Sequence, residues 1–242
     1  MYVRFFTAML ISVATTAIAH DAAIHSSVKQ NVPAALDIVE SRIRVDGGEL
    51  VFTQKTAGPA GLEKPRAIGK LGGSAVYSYV WPTSLDSAAV GFDKEQGILA
   101  LAATIHPDFD DTPLFDESRD GTKDNDGGVW HSHWVVLVKD EQCGKDGMKV
   151  RDIPKDAKPR LPATWPGLPI LIDSPGYGPR FESKTVTIRV PLKDVGMPAD
   201  FQFDGVTSSL QVNANVHAPL LCINRVFDVA SGDLSLPGKL SR

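Results

Sequence analysis

The feature that most constrains this chain is a succession of short apolar runs, each closed off by Gly- or Pro-containing turns. Residues 36–45, 49–56, 76–81, 98–105, 129–138, 185–192, 206–216 and 221–229 read as strands. Several alternate with period two. In the 185–192 run Val186, Ile188 and Val190 share one face, while Thr185, Thr187 and Arg189 share the other. Asp46-Gly47-Gly48 between the first two runs is a tight hairpin signal. With 21 Gly and 17 Pro, long helices are disfavoured, and only residues 34–39 and 192–195 suit a helical turn. The expected fold is all-β: a single antiparallel β-sandwich, immunoglobulin-like or jelly-roll-like, with two long loops.

Residues 1–19 have the pattern of a cleaved secretory signal peptide. Arg4 precedes an apolar run from Phe5, and small residues end in Ala17-Ile18-Ala19. The run is shorter than the roughly 20 apolar residues that span a bilayer, and no later stretch is long enough, so membrane insertion is not expected. Residues 20–242 are then the β-sandwich domain, exported to a periplasm or secreted. The net charge of −4 becomes one unit more negative without Arg4, which gives no electrostatic reason to expect nucleic acid as a partner. In an oxidising compartment the only two cysteines, Cys143 and Cys222, pair as a disulfide by default.

Two long segments interrupt the strands. Residues 140–183 are proline-rich and begin near Cys143, so the disulfide would pin them across the sandwich as a semi-rigid cover. Residues 107–128 are acidic, with Asp108, Asp110, Asp111, Asp116, Glu117, Asp120, Asp124 and Asp126 against Arg119 and Lys123. Asp124-Asn125-Asp126-Gly127 has the oxygen spacing and turn glycine of calcium loops, which makes Asp120, Asp124 and Asp126 candidate calcium ligands. A full EF-hand register fails, because His133 would stand where the bidentate Glu belongs. A solvated acidic turn is the alternative.

The strongest site signal follows directly: Trp130-His131-Ser132-His133-Trp134. On a strand His131 and His133 share a face, about 6–7 Å apart, so both imidazoles can reach one metal ion. Carbonic anhydrases and cupins use His-x-His in this way, although nothing else here matches either family. His106 and His217 are the expected further ligands, with acidic-loop carboxylates behind them. If the signal is removed, His20 begins the mature chain, and its amino group and imidazole can chelate Cu(II). An exported β-sandwich that begins with histidine is similar in layout to periplasmic copper-carrier domains, which implies copper binding or transport. Rim histidines hydrogen-bonded to the acidic loop are the bland alternative.

Two further stripes are candidate ligand surfaces. Tyr77, Tyr79 and Trp81 line one face of a strand and either stack on a sugar or fill the core. Asn213, Asn215 and His217 continue a polar ladder from Gln211. No nucleophile elbow, phosphate-cradling loop, His-Glu-x-x-His or haem-attachment motif is present. The expected function is therefore an exported protein of binding or transport type, taking copper or zinc at histidines and calcium at the acidic loop. One alternative is a zinc-dependent metalloenzyme built on the His-x-His strand. The other is a carbohydrate- or small-ligand-binding module with structural calcium, which requires Tyr77, Tyr79 and Trp81 to be exposed.

Overall fold

The computed structural model describes residues 21–215 and 219–241; the expected signal peptide, His20 and His217 lie outside the described residues. Two short strands, β1 (Asp21–Ala22) and β2 (Ile24–His25), precede the hairpin of β3 (Ile38–Asp46) and β4 (Glu49–Thr56). Its turn is Gly47-Gly48, at φ +58° and +87°. Two consecutive positive φ angles give the right twist for a two-residue hairpin, and glycine reaches them without strain. Then come β5 (Ala75–Pro82), β6 (Ile98–Ile105), β7 (His131–Lys139), β8 (Met148–Val150) and β9 (Ile172–Asp173). The chain continues through β10 (Arg180–Glu182), β11 (Thr185–Pro191) and β12 (Asp200–Phe203). It ends with β13 (Val206–Val212), β14 (Leu221–Val229) and β15 (Gly238–Ser241).

The expected single sandwich is not what forms. Strands β6, β5, β13, β14, β8 and β7 pair in that order, and β6 also pairs with β7, closing a six-stranded antiparallel barrel. A five-stranded sheet (β10-β11-β4-β3-β2) and a three-stranded sheet (β1-β15-β12) accompany it. Strand β6 shows why closure was hidden. Its sequence, Ile-Leu-Ala-Leu-Ala-Ala-Thr-Ile, is buried on both faces. Leu99, Leu101, Ala103 and Ile105 belong to one apolar cluster, with Phe52, Ile188 and other residues of the five-stranded sheet. Ala100 and Ala102 belong to a second, inside the barrel, with Val76, Val135, Val206 and Leu210. Alternation distinguishes two faces of a strand, but whether the inner face meets another sheet or curls onto itself is a tertiary matter.

Aromatic rings tie the layers together. Phe52 of β4 meets Trp81 of β5 and Trp134 of β7 edge-to-face, each pair with centroids 5.9 Å apart. Tyr79 and Trp81 are fully buried and Tyr77 is half-buried against Phe227. The Tyr79 hydroxyl donates to the Ala35 carbonyl at 2.7 Å and accepts from the Gly61 amide at 2.8 Å. The stripe is thus placed in the core, without the exposure that sugar stacking requires.

The proline-rich segment is not merely a cover. Its residues 148–150 form the barrel strand β8, between β14 and β7, and Ile172–Asp173 adds to the other stretch of β7. Cys143 and Cys222 form a disulfide across a sequence separation of 79. It joins a 3-10 turn (Glu141–Cys143) to β14 beside its single register pair with β8, Cys222–Lys149. Among the described residues no helix is long and apolar enough to cross a membrane.

Asp173 offers a stability test. Burial pushes its carboxyl up to about 6, against which the Thr164 hydroxyl donates at 2.6 Å. Between about pH 4 and pH 6 the unfolded chain has released this proton and the native chain has not, so stability falls as pH rises. Asp173→Asn is expected to be more stable than wild type by roughly 2–3 kcal/mol at pH 8 and equal to it near pH 3.5. Urea unfolding at the two pH values measures the difference; an unchanged gap refutes the assignment.

Candidate metal centre

Two strands and one loop build the site. His131 and His133 point into the barrel from β7, opposite Thr104 and Ala102 of β6. His106 follows directly on β6, and its backbone amide bonds to the Gly127 carbonyl at 2.8 Å, joining the two ends of the acidic loop. Asp111 enters from that loop. All four side chains are buried.

The ligand atoms converge on one point. Asp111 Oδ1 lies 3.1 Å from His106 Nε2, 3.2 Å from His131 Nε2 and 3.2 Å from His133 Nε2. His106 Nε2 and His131 Nε2 are 2.9 Å apart. Among the described residues this is the only group of three or more His, Cys, Asp or Glu that could hold a metal ion.

The opposite ring nitrogens fix the tautomers. His106 Nδ1 faces the Phe109 carbonyl at 3.0 Å and His131 Nδ1 faces the Val129 carbonyl at 2.8 Å. Carbonyls only accept, so each Nδ1 carries the proton. His133 Nδ1 lies 3.0 Å from Ser174 Oγ, whose hydroxyl donates to the Asp111 carbonyl at 2.7 Å. That hydroxyl has one proton, so it accepts from His133. In the neutral rings all three Nε2 atoms therefore present lone pairs to a carboxylate oxygen. Asp111 Oδ1 and His133 Nε2 have no hydrogen-bond partner. Buried acceptors do not converge at about 3 Å without positive charge between them. A single proton satisfies one edge of this group, whereas a divalent cation satisfies every member.

The electrostatics agree with that geometry. Burial works to raise Asp111, but the surrounding imidazoles outweigh it and hold the carboxyl well below the usual range. Burial lowers His133, keeping it a neutral ring. Burial also pulls His131 down, yet the neighbouring Asp111 carboxylate carries it above its ordinary value, which is the same demand for positive charge at this point.

The remaining predicted residues lie elsewhere. Asp126 is buried, and its carboxylate accepts from the Glu117 and Ser118 amides at 3.0 and 2.8 Å. Asp120 accepts from the Thr122 amide and the Asn125 side chain, both at 2.8 Å. Asp124 is exposed. Asp120 and Asp126 thus organise their own loop, and Asp120, Asp124 and Asp126 do not come together as a group that could hold an ion. Strand β13 ends at Val212, so Asn213 and Asn215 stand beyond it; the Asn213 amide donates to the Pro219 carbonyl.

Gly127, the apparent calcium-loop glycine, has a different reason. A Cβ there would lie 1.7 Å from the Phe109 carbonyl oxygen and 2.5 Å from that of His106. Backbone packs on backbone, and the turn carrying His106 rests on it. Gly127→Ala is expected to destabilise the protein by roughly 1–3 kcal/mol and to weaken metal binding at least tenfold. A metal titration followed by thermal unfolding checks both; wild-type affinity in a folded Gly127→Ala protein refutes the linkage.

Asp111 is the ligand sequence reasoning missed. It stands among similar aspartates, and only its place five residues after His106 could have marked it. Comparison with protein families, with curated proteins and with solved structures finds no match for this chain.

Proposed function

We propose that this chain is a metal-binding protein whose resident ion is a first-row divalent cation, zinc by the donor set, held by His106, Asp111, His131 and His133. The observation that carries the reading is the convergence of lone pairs from three imidazoles and one carboxylate. A tetrahedron with metal–ligand bonds of 2.0–2.1 Å has edges of about 3.3–3.4 Å. Asp111 Oδ1 has three near-equal neighbours at 3.1–3.2 Å, close to such edges. A square plane would place one of them about 1.4 times farther away, so the tetragonal geometry of Cu(II) fits less well. Burial of all four residues favours a tightly held ion over a rapidly exchanged cargo. The disulfide is consistent with an exported protein.

Elemental analysis of the purified protein is expected to give one zinc per chain, and the His131→Ala/His133→Ala double variant none. Wild-type protein without stoichiometric metal, or a double variant that retains it, refutes the reading. A zinc enzyme remains the second reading on one specific observation: His106, Asp111 and His133 also line the cavity of the barrel.

A further inference from the structure

The barrel encloses a cavity of about 110 Å³. Its wall is apolar except for the cluster residues and the hydroxyls of Ser78, Thr104 and Ser208, and no Lys or Arg lines it. These hydroxyls continue from the metal centre as one row across the strands. His131 pairs with Thr104, Thr104 with Ser78, and Ser78 with Ser208. Ser78 and Ser208 satisfy each other, Oγ to Oγ at 2.8 Å. Thr104 is only 7% exposed, and its Oγ1 has no hydrogen-bond partner. A buried hydroxyl without a partner has given up its hydrogen bonds to water, which favours a cavity occupant able to bond it.

Resting on the metal reading above, we propose that this cavity binds a small neutral molecule, mostly hydrocarbon, with one oxygen that accepts from Thr104 and faces the metal. The size follows from volume. An apolar cavity of ~150 Å³ takes benzene, so one of about 110 Å³ suits about four or five heavy atoms. Neutrality follows from the wall, which offers no Lys or Arg to a carboxylate, and from the metal, whose four tetrahedral positions are already taken by His106, Asp111, His131 and His133. A single oxygen follows from the polar lining, in which Thr104 alone among the hydroxyls lacks a partner. Ala102 keeps the space open, because the interior of so narrow a barrel is otherwise filled by side chains. Val226 belongs to the wall and is 51% exposed, which gives the cavity a route to solvent.

Butanone and 2-methyl-1-butene, isosteres of five heavy atoms, are the matched probes, titrated into the protein after cobalt(II) has replaced zinc. Butanone is expected to bind one to one and perturb the visible cobalt bands, with 2-methyl-1-butene at least tenfold weaker. Thr104→Val keeps the shape and is expected to weaken butanone about tenfold while leaving 2-methyl-1-butene unchanged. Ala102→Leu is expected to exclude both while still holding one metal ion; if it fails to fold, Thr104→Val alone decides. Metal bound without butanone binding overturns the ligand proposal and leaves the metal reading intact. Equal binding of both probes, with Thr104→Val silent, leaves the hydroxyl to water and also overturns it. Absence of metal overturns the reading beneath it, and this proposal with it.

Discussion

Stripping the metal with a strong chelator is expected to lower the Tm by roughly 8–16 °C. An ion at a free concentration a thousandfold above its Kd stabilises the native state by about 4 kcal/mol, and a domain of this size shifts by about 2–4 °C per kcal/mol. The protein has no substitute for that charge. Asp111 Oδ1 lies 3.1–3.2 Å from three buried imidazole nitrogens, two of which are 2.9 Å apart, with no Lys or Arg among them. Asp111→Asn is the matching variant, because it keeps the shape and removes the negative charge. It should bind zinc far more weakly, and chelator should then hardly move its Tm. Scanning calorimetry with and without chelator, with metal content measured on the same samples, checks this. A wild-type Tm that stays constant after the metal has demonstrably left would refute a structural part for the ion.

The second large effect is expected from the disulfide. Replacing Cys143 and Cys222 together by Ser should destabilise the protein by about 4–5 kcal/mol, since the bridge closes a loop with a sequence separation of 79. The loss has a specific place in the fold. Strand β8 makes three register pairs with β7 but only one with β14, at Cys222 itself. The bridge from the preceding turn holds this seam of the barrel closed, helped by Lys149, whose Nζ lies 2.6 Å from Asp140 Oδ2 and 2.7 Å from Asp152 Oδ2. Hydrogen exchange should therefore accelerate first at residues 148–150 and 221–223, with β3 and β4 unaffected. Denaturant unfolding that shows a loss below about 1 kcal/mol, or uniform acceleration of exchange, would refute the seam assignment.

Much of the secondary structure was legible from periodicity. Strands β6 and β14 occupy the expected ranges, and the Gly47-Gly48 turn joins the expected hairpin. Strand β8 was not legible, because Met148-Lys149-Val150 is too short to show a period. Inside residues 140–183, proline content outweighed any strand signal. The metal centre was legible where the ligands share a strand, as His131 and His133 do. Asp111 and the acidic loop were misjudged for one reason: composition counts carboxylates but does not say which point inward. Asp110, Asp116, Asp120 and Asp126 accept from backbone amides of their own loop, whereas Asp111 turns into the barrel.

The sequence alone determined an all-β chain, its principal strands, the cysteine pairing and a His-x-His pair on one strand face. These are local properties, or they involve the only two residues of their kind. Tertiary structure decided that the strands close into a barrel, that His106 and Asp111 complete the cluster, and that Tyr79 and Trp81 are core. It also decided that the inner faces of β5, β6 and β13 enclose a cavity beside the cluster. The physical reason is register. Periodicity fixes which side chains share a face, whereas pairing β6 with β7 over Ile98–Leu137 to Thr104–His131 brings ligands from separate segments to one point.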